Sequence, residues 1–142
     1  MRIKLNSLED TKDLAIKIAD LAKDKAGTII FLIGDLGTGK TTFAKFFAER
    51  FNASAKSPTF GLVNIYEGSK TIYHLDLYRL NDYYEALNIG IEEILDNSSI
   101  KLIEWPEILE GEEHDAEIVF SREGEDRYID ISGKLFEGRE LC

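Results

Sequence analysis

Very little in this chain can cross-link, stiffen or span. Its 142 residues include one cysteine, two prolines and one tryptophan. The cysteine, Cys142, is the last residue, so no internal disulfide is available and a reducing, cytoplasmic setting is the expectation. No apolar run approaches the roughly 20 residues that cross a bilayer. The start, Met1-Arg2-Ile3-Lys4-Leu5, lacks the apolar stretch of a signal peptide, so no membrane association is expected. Positive charge is also scarce: 17 Lys and Arg against 27 Asp and Glu leave a net charge of −10. A chain without a basic run is not built to grip nucleic acid itself, because phosphate contacts need clustered Lys and Arg. Lys40, Lys45, Arg50 and Lys56 do fall close together. They read either as local positive potential on an acidic body or as ordinary helix-face charge. Repeats and low-complexity segments are missing too. What is present, 44% hydrophobic and 11% aromatic residues, predicts one folded domain over 1–142 with residues 133–142 as a flexible tail.

The stretch Gly34-Asp35-Leu36-Gly37-Thr38-Gly39-Lys40-Thr41 matches G-x-x-x-x-G-K-[ST], the phosphate-binding P-loop pattern. Its flanks are those the pattern requires. Thr28-Ile29-Ile30-Phe31-Leu32-Ile33 reads as a buried strand, and Phe43, Phe47, Ala48 and Phe51 recur at helical spacing behind the loop. The glycines let the backbone curl so that its N–H groups approach an anion. The helix opening at Lys40 and Thr41 points its positive end at the same place. In such a loop the lysine reaches the β- and γ-phosphates and the Thr41 hydroxyl holds Mg²⁺. The plainer reading is a glycine-rich turn between a strand and a helix.

Around this centre the pattern predicts a mixed α/β domain. Residues 1–5 form a first strand. A helix capped by Ser7, with Asp10 three residues on, runs to about Lys25 and stops at Gly27. The loop helix extends to about Asn52, and 53–56 is a linker. Leu62–Glu67 and Thr71–Tyr78 make a hairpin through Gly68-Ser69. Short helices follow over 81–87 and 91–95, then a strand over Ile100–Glu104, a turn at Pro106 and an acidic loop over 111–114. Ala116–Ser121 and Arg127–Ser132 form a second hairpin. The fold class expected is a single-domain, three-layer, P-loop NTPase-like fold whose sheet joins a parallel core to antiparallel hairpins.

A P-loop enzyme also needs an acid near Mg²⁺ and a group that senses the γ-phosphate. Glu104, just past an apolar strand, best fits the acid. Asp76 is a second candidate, on the strand face that also carries Ile72, His74 and Tyr78. Either carboxylate is equally the kind of group that caps a helix or faces water. His74 reads as a structural or supporting histidine rather than a general base. Thr59, in Ser57-Pro58-Thr59, is either a switch-type phosphate sensor or a turn hydroxyl. Trp105 reads as packing, and Arg79 as a surface ion pair rather than an arginine finger.

Four runs in this order, GDLGTGKTT, SPTFGLVNIYEG, YHLDLYRL and LIEWPE, resemble the TsaE (YjeE) family over about residues 6 to 132. The resemblance implies a small bacterial P-loop ATPase required for threonylcarbamoyladenosine in tRNA. It implies ATP and Mg²⁺ as cofactors, and TsaD and TsaB as partners that perform the transfer. Hydrolysis is implied to be weak alone, stimulated by those partners, and to reset the complex. tRNA is met only indirectly. Carried over by position, Gly34, Asp35, Leu36, Gly37, Thr38, Gly39, Lys40, Thr41 and Thr42 bind the phosphates. Thr41 and Glu104 match Mg²⁺ positions, with Asp76 as the motif acid implicated in hydrolysis. Thr59 belongs to the switch-like loop, and Arg127 matches a late nucleotide-contacting arginine. The catalytic set implied is Lys40, Thr59, Asp76 and Glu104. One departure stands out: where the family often has a His-Thr-Ser-like stretch, this chain has Asn6-Ser7-Leu8-Glu9 with Thr11, which leaves adenine contacts unassigned. Two other classes compete: a small-molecule kinase, which needs an arginine-bearing lid absent here, and a nucleotide-gated binding module.

Overall fold

Apolar residues alternate along the central strands, and that alternation divides the molecule into layers. The computed structural model describes residues 1–55 and 62–138. The strands are β1 (Arg2–Leu5), β2 (Ile29–Ile33), β3 (Ser54–Ala55), β4 (Val63–Glu67), β5 (Thr71–Asp76), β6 (Ile100–Glu104), β7 (Ala116–Glu123) and β8 (Asp126–Ser132). The helices are α1 (Leu8–Ala22), α2 (Lys40–Glu49), α3 (Tyr83–Asn88) and α4 (Ile91–Asp96). The described strands form one eight-stranded sheet in the order β1-β8-β7-β2-β6-β5-β4-β3. β7, β2, β6 and β5 run parallel. Antiparallel hairpins extend both edges, β8 and β1 on one side, β4 and β3 on the other. The expected three-layer, mixed-sheet α/β fold is the one found.

One sheet face carries Ile30, Leu32, Ile72, Leu102, Ile118 and Phe120 against α1 and α2. The other carries Phe31, Leu75 and Ile103 against Ala86, Ile91 and Leu109. A strand buried on both faces reads as a continuous apolar run, as β2 does. α1 begins as expected. The Ser7 side chain accepts from the Asp10 amide at 3.2 Å and the Asp10 carboxylate accepts from the Asn6 amide at 2.8 Å, a reciprocal cap. Gly27 follows in the left-handed region at φ +75. No described helix is long and apolar enough to cross a membrane.

Two expectations need correction. The linker placed at 53–56 contains β3, whose Ser54 and Ala55 pair with Glu67 and Tyr66. The pairing is possible because Gly68 lets the backbone of residues 51–53 come close; a Cβ there would lie 2.3 Å from the Phe51 carbonyl oxygen. The flexible tail placed from residue 133 is also wrong for its first part. Lys134–Phe136 forms a 3₁₀ turn that buries Leu135 in the α1/α2 core, with the Leu135 amide donating to the Asp115 carbonyl at 2.9 Å. A leucine–phenylalanine pair between Lys134 and Glu137 is too short to show a period, so its burial had no pattern to announce it.

Candidate functional site

β2 ends at Ile33, and the loop that begins at Gly34 is shaped by its glycines. Gly37 and Gly39 have φ of +79 and +105, conformations that side-chain-bearing residues avoid. At Gly34 the constraint is space: a Cβ would lie 2.5 Å from the Phe120 carbonyl oxygen on β7. The Thr38 hydroxyl donates to the Asp35 carbonyl at 2.6 Å, closing the loop on itself. Gly39 precedes α2 with no side-chain cap, so no side chain occupies the helix's first amides.

At the end of the neighbouring strand stands Glu104, only 4% exposed. Its Oε1 lies 3.9 Å from Lys40 Nζ and its Oε2 lies 2.5 Å from His74 Nε2. Lys40 is not the solvent-facing residue its role suggests. It is 4% exposed, donates to the Gly34 carbonyl, and sits 4.1 Å from the centroid of the Trp105 ring. Its charge is thus shared among a carbonyl, a carboxylate and an indole. Trp105 is held there in the left-handed region, φ 56 and ψ 58, a conformation costing about 1–2 kcal/mol for a non-glycine residue. Tyr78 packs on its ring at 4.8 Å. Nearby, burial and then the Glu104 charge raise the Tyr66 phenol above its ordinary value.

A cleft of about 260 Å³ opens beside these groups, lined by Leu36, Gly37, Gly39, Lys40, Thr41, Thr42, Glu104 and Arg127. Eight residues singled out in the sequence therefore meet at one place. Others do not line it. Gly34 contributes its carbonyl to Lys40, while Asp35 and Thr38 make the loop's internal turn. Asp76 stands in register with Glu104 on β5, where its Oδ1 accepts from the Tyr78 amide at 3.0 Å. Thr59 lies outside the described residues, as do Ser57 and Pro58. Arg50 leaves the positive cluster by pairing with Asp20 at 2.8 Å. Sequence reasoning assigned Trp105 to packing; its contact with Lys40 was not visible there, although a tryptophan wedged between a strand-end acid and a proline marked the position.

A glycine-rich loop between a parallel strand and a helix, with an acid at the adjacent strand end, thus sits in a single-domain α/β fold with a mixed sheet. Comparison with known proteins gives the family. The family model described as Threonylcarbamoyl adenosine biosynthesis protein TsaE matches residues 5–129, and the chain belongs to that family. It is 47% identical over 109 residues to a Rickettsia conorii protein, covering 74% of this chain and 61% of that one. It is 37% identical over 123 residues to a Bacillus subtilis protein, covering 83% and 75%. Both relatives are named tRNA threonylcarbamoyladenosine biosynthesis protein TsaE. The chain thus spans about three fifths of the length of the Rickettsia conorii relative. The crystal structure of Bacillus subtilis YdiB superposes with a TM-score of 0.75 at 31% identity, over 94% of this chain and 84% of that one.

Proposed function

We propose that this protein is a P-loop ATPase that binds Mg-ATP, hydrolyses it weakly alone, and supports a TsaD–TsaB complex in threonylcarbamoyladenosine modification of tRNA. The threonylcarbamoyl transfer itself belongs to the partners, and the setting is the cytoplasm. The observation that carries the reading is the meeting of Lys40, Thr41 and Glu104 at the mouth of one glycine-rich loop. Its size agrees: about 260 Å³ is below the roughly 300–1,000 Å³ of a whole-ligand pocket and suits a phosphate chain. The relatives' names supply the pathway.

The donor set fits Mg²⁺. Among the described residues no three His, Cys, Asp or Glu side chains converge as a metal cage. One buried carboxylate and one hydroxyl are what Mg²⁺ takes from a protein when phosphates and waters complete its shell. Thr41 and Glu104 would hold it, with Asp76 at one remove. When bound, the ion neutralises charge on the phosphoryl oxygens. The amides of residues 37–42 grip the phosphates. Lys40 exchanges the Gly34 carbonyl and the Trp105 face for a phosphate oxygen, a move its loose 3.9 Å pairing with Glu104 permits. Arg127, on the cleft wall, is placed to meet the nucleotide.

The test is ATP hydrolysis by the protein alone and with TsaD and TsaB of the same organism. Low activity that rises several-fold with the partners is expected. In a Glu104→Ala variant, ATP binding persists while hydrolysis and modification are lost. High activity indifferent to partners, with a phosphorylated product in place of free phosphate, would make the protein a kinase instead. A Glu104→Ala variant that still supported full modification would make binding, not hydrolysis, the output.

A further inference from the structure

Glu104 has two oxygens, and the fold treats them differently. Oε1 faces Lys40 and the glycine-rich loop at 3.9 Å, whereas Oε2 is held by His74 Nε2 at 2.5 Å. The two residues are 5% and 4% exposed, so water does not compete for the contact. A carboxylate oxygen can only accept from a ring nitrogen, so the Nε2–H is the donor. The other nitrogen, Nδ1, is buried with no hydrogen-bond partner among the described residues. A proton there would be an unpaired buried donor, so the hydrogen belongs on Nε2. The strands enforce the contact. β5 and β6 pair in parallel with His74 opposite Leu102 and Asp76 opposite Glu104, which sets the two side chains diagonally on one face. Tyr66 backs the imidazole from β4 at 6.4 Å.

We propose that His74 is a positioning residue for the cation. By holding Oε2, it leaves Oε1 alone to face the loop and limits Glu104 to one-oxygen coordination. This rests on the Mg-ATP reading above. The consequence is selectivity. Mg²⁺ demands a compact octahedral shell and is served by a single carboxylate oxygen, whereas Ca²⁺ takes six to eight ligands and accepts both. Partners that orient a metal ligand are typically worth about 10–100-fold in metal affinity.

Two variants separate this role from simple packing. His74→Gln keeps an N–H donor at about the reach of Nε2. His74→Asn keeps a polar side chain whose amide is too short to touch Oε2. The measurement is Mn²⁺ binding to the protein–ADP complex by electron paramagnetic resonance, with Mg²⁺ and Ca²⁺ as competitors, beside ADP affinity in EDTA. The expected result for His74→Asn is Mg²⁺ affinity about tenfold or more weaker. Its Ca²⁺ affinity falls less, and metal-free ADP affinity stays within about twofold. His74→Gln returns Mg²⁺ affinity to within about threefold of the parent. Equal Mg²⁺ affinity in all three proteins would overturn the inference. So would equal losses in both variants accompanied by loss of ADP binding, the mark of a packing role. A parent protein that bound neither ADP nor the metal would overturn the Mg-ATP reading itself, and the inference with it.

Discussion

Two buried ionic clusters lie at opposite ends of the same parallel strands, and they are built on opposite terms. At the amino ends of β2, β6 and β7, Asp115 is 5% exposed and its carboxylate is fully engaged. Lys25 donates to Oδ1, the Ile29 amide donates to Oδ2 at 2.8 Å, and Lys134 lies 3.5 Å away. Lys101, fully buried, donates to the Asn97 carbonyl at 2.6 Å. These bonds tie strand starts to the segments that precede and follow them. At the carboxyl ends, Lys40 and Glu104 are as deeply buried but stand 3.9 Å apart. Around them are His74 Nδ1 and Trp105 Nε1, which have no hydrogen-bond partner among the described residues, and the left-handed backbone of Trp105. Burial of charge is common to both ends, so burial alone does not mark a site. What separates them is completeness: one cluster is saturated by its own chain, and the other is left with capacity for something else.

The sharpest way to break that comparison is Lys40→Ala. If the carboxyl-end cluster serves a ligand, the loss appears more in function than in stability. ATP hydrolysis in the presence of partners should fall by about two to three orders of magnitude. Unfolding free energy should fall by less than the roughly 3–5 kcal/mol that breaking a tight buried pair costs, because the two charges stand 3.9 Å apart and His74 still holds the Glu104 carboxylate. Isothermal titration and denaturant unfolding check the two halves. Unchanged ATP affinity would sink the P-loop assignment, and a large drop in stability would mean Lys40 is as structural as Lys25.

The same contrast explains what the sequence disclosed. The carboxyl-end site was legible because its chemistry uses fixed spacing: the glycines and lysine of residues 34–41 and the strand-end Glu104. The sheet core was legible because Ile30, Leu32 and Phe31 alternate between two faces. Contacts between distant segments were not. Nothing local ties Asp115 to Lys25, 90 positions away, or seats Lys40 on Trp105. His74 read as a supporting residue, but its partner could be named only once β5 lay beside β6. The Ser54–Ala55 strand escaped because two residues carry no period, and it exists only through pairing with β4.

At the amino end the expectation reverses, and Asp115→Ala is the second test. Removing the carboxylate strands the Ile29 amide and releases Lys25, so unfolding free energy should drop by about 1–3 kcal/mol. Nucleotide binding by the folded fraction should be unaffected. The effect also has a pH signature. Burial pushes the Asp115 carboxyl up, but the hydrogen bond from Lys25, the Ile29 amide and the nearby lysine charges outweigh it, and the net shift is downward from 3.8. A depressed folded-state value means the stabilisation is full above the unfolded value and lost as pH falls through the folded one. The stability gap between parent and variant should therefore be constant near neutrality and close below about pH 4. A gap that persisted at lower pH would show that packing, not charge, holds the carboxylate in place.

The smallest effect belongs to Lys101. Burial lowers its ammonium below 10.5, against the opposing pull of Asp115 and Asp96. A lysine whose folded value is depressed binds its proton less readily in the folded than in the unfolded state. Its charged form therefore subtracts from stability at neutral pH, and that penalty fades as pH rises through the folded value toward 10.5. Lys101→Met removes the ammonium while keeping the stem that fills the strand interior. The variant should match or exceed the parent by up to about 1 kcal/mol at pH 7, with the advantage shrinking as pH approaches 10. Denaturant unfolding at the two pH values decides it. A loss of more than about 2 kcal/mol at pH 7 would mean that the bond to the Asn97 carbonyl outweighs the desolvation of the ammonium. Lys101 would then be a tie of the same kind as the Lys25–Asp115 pair.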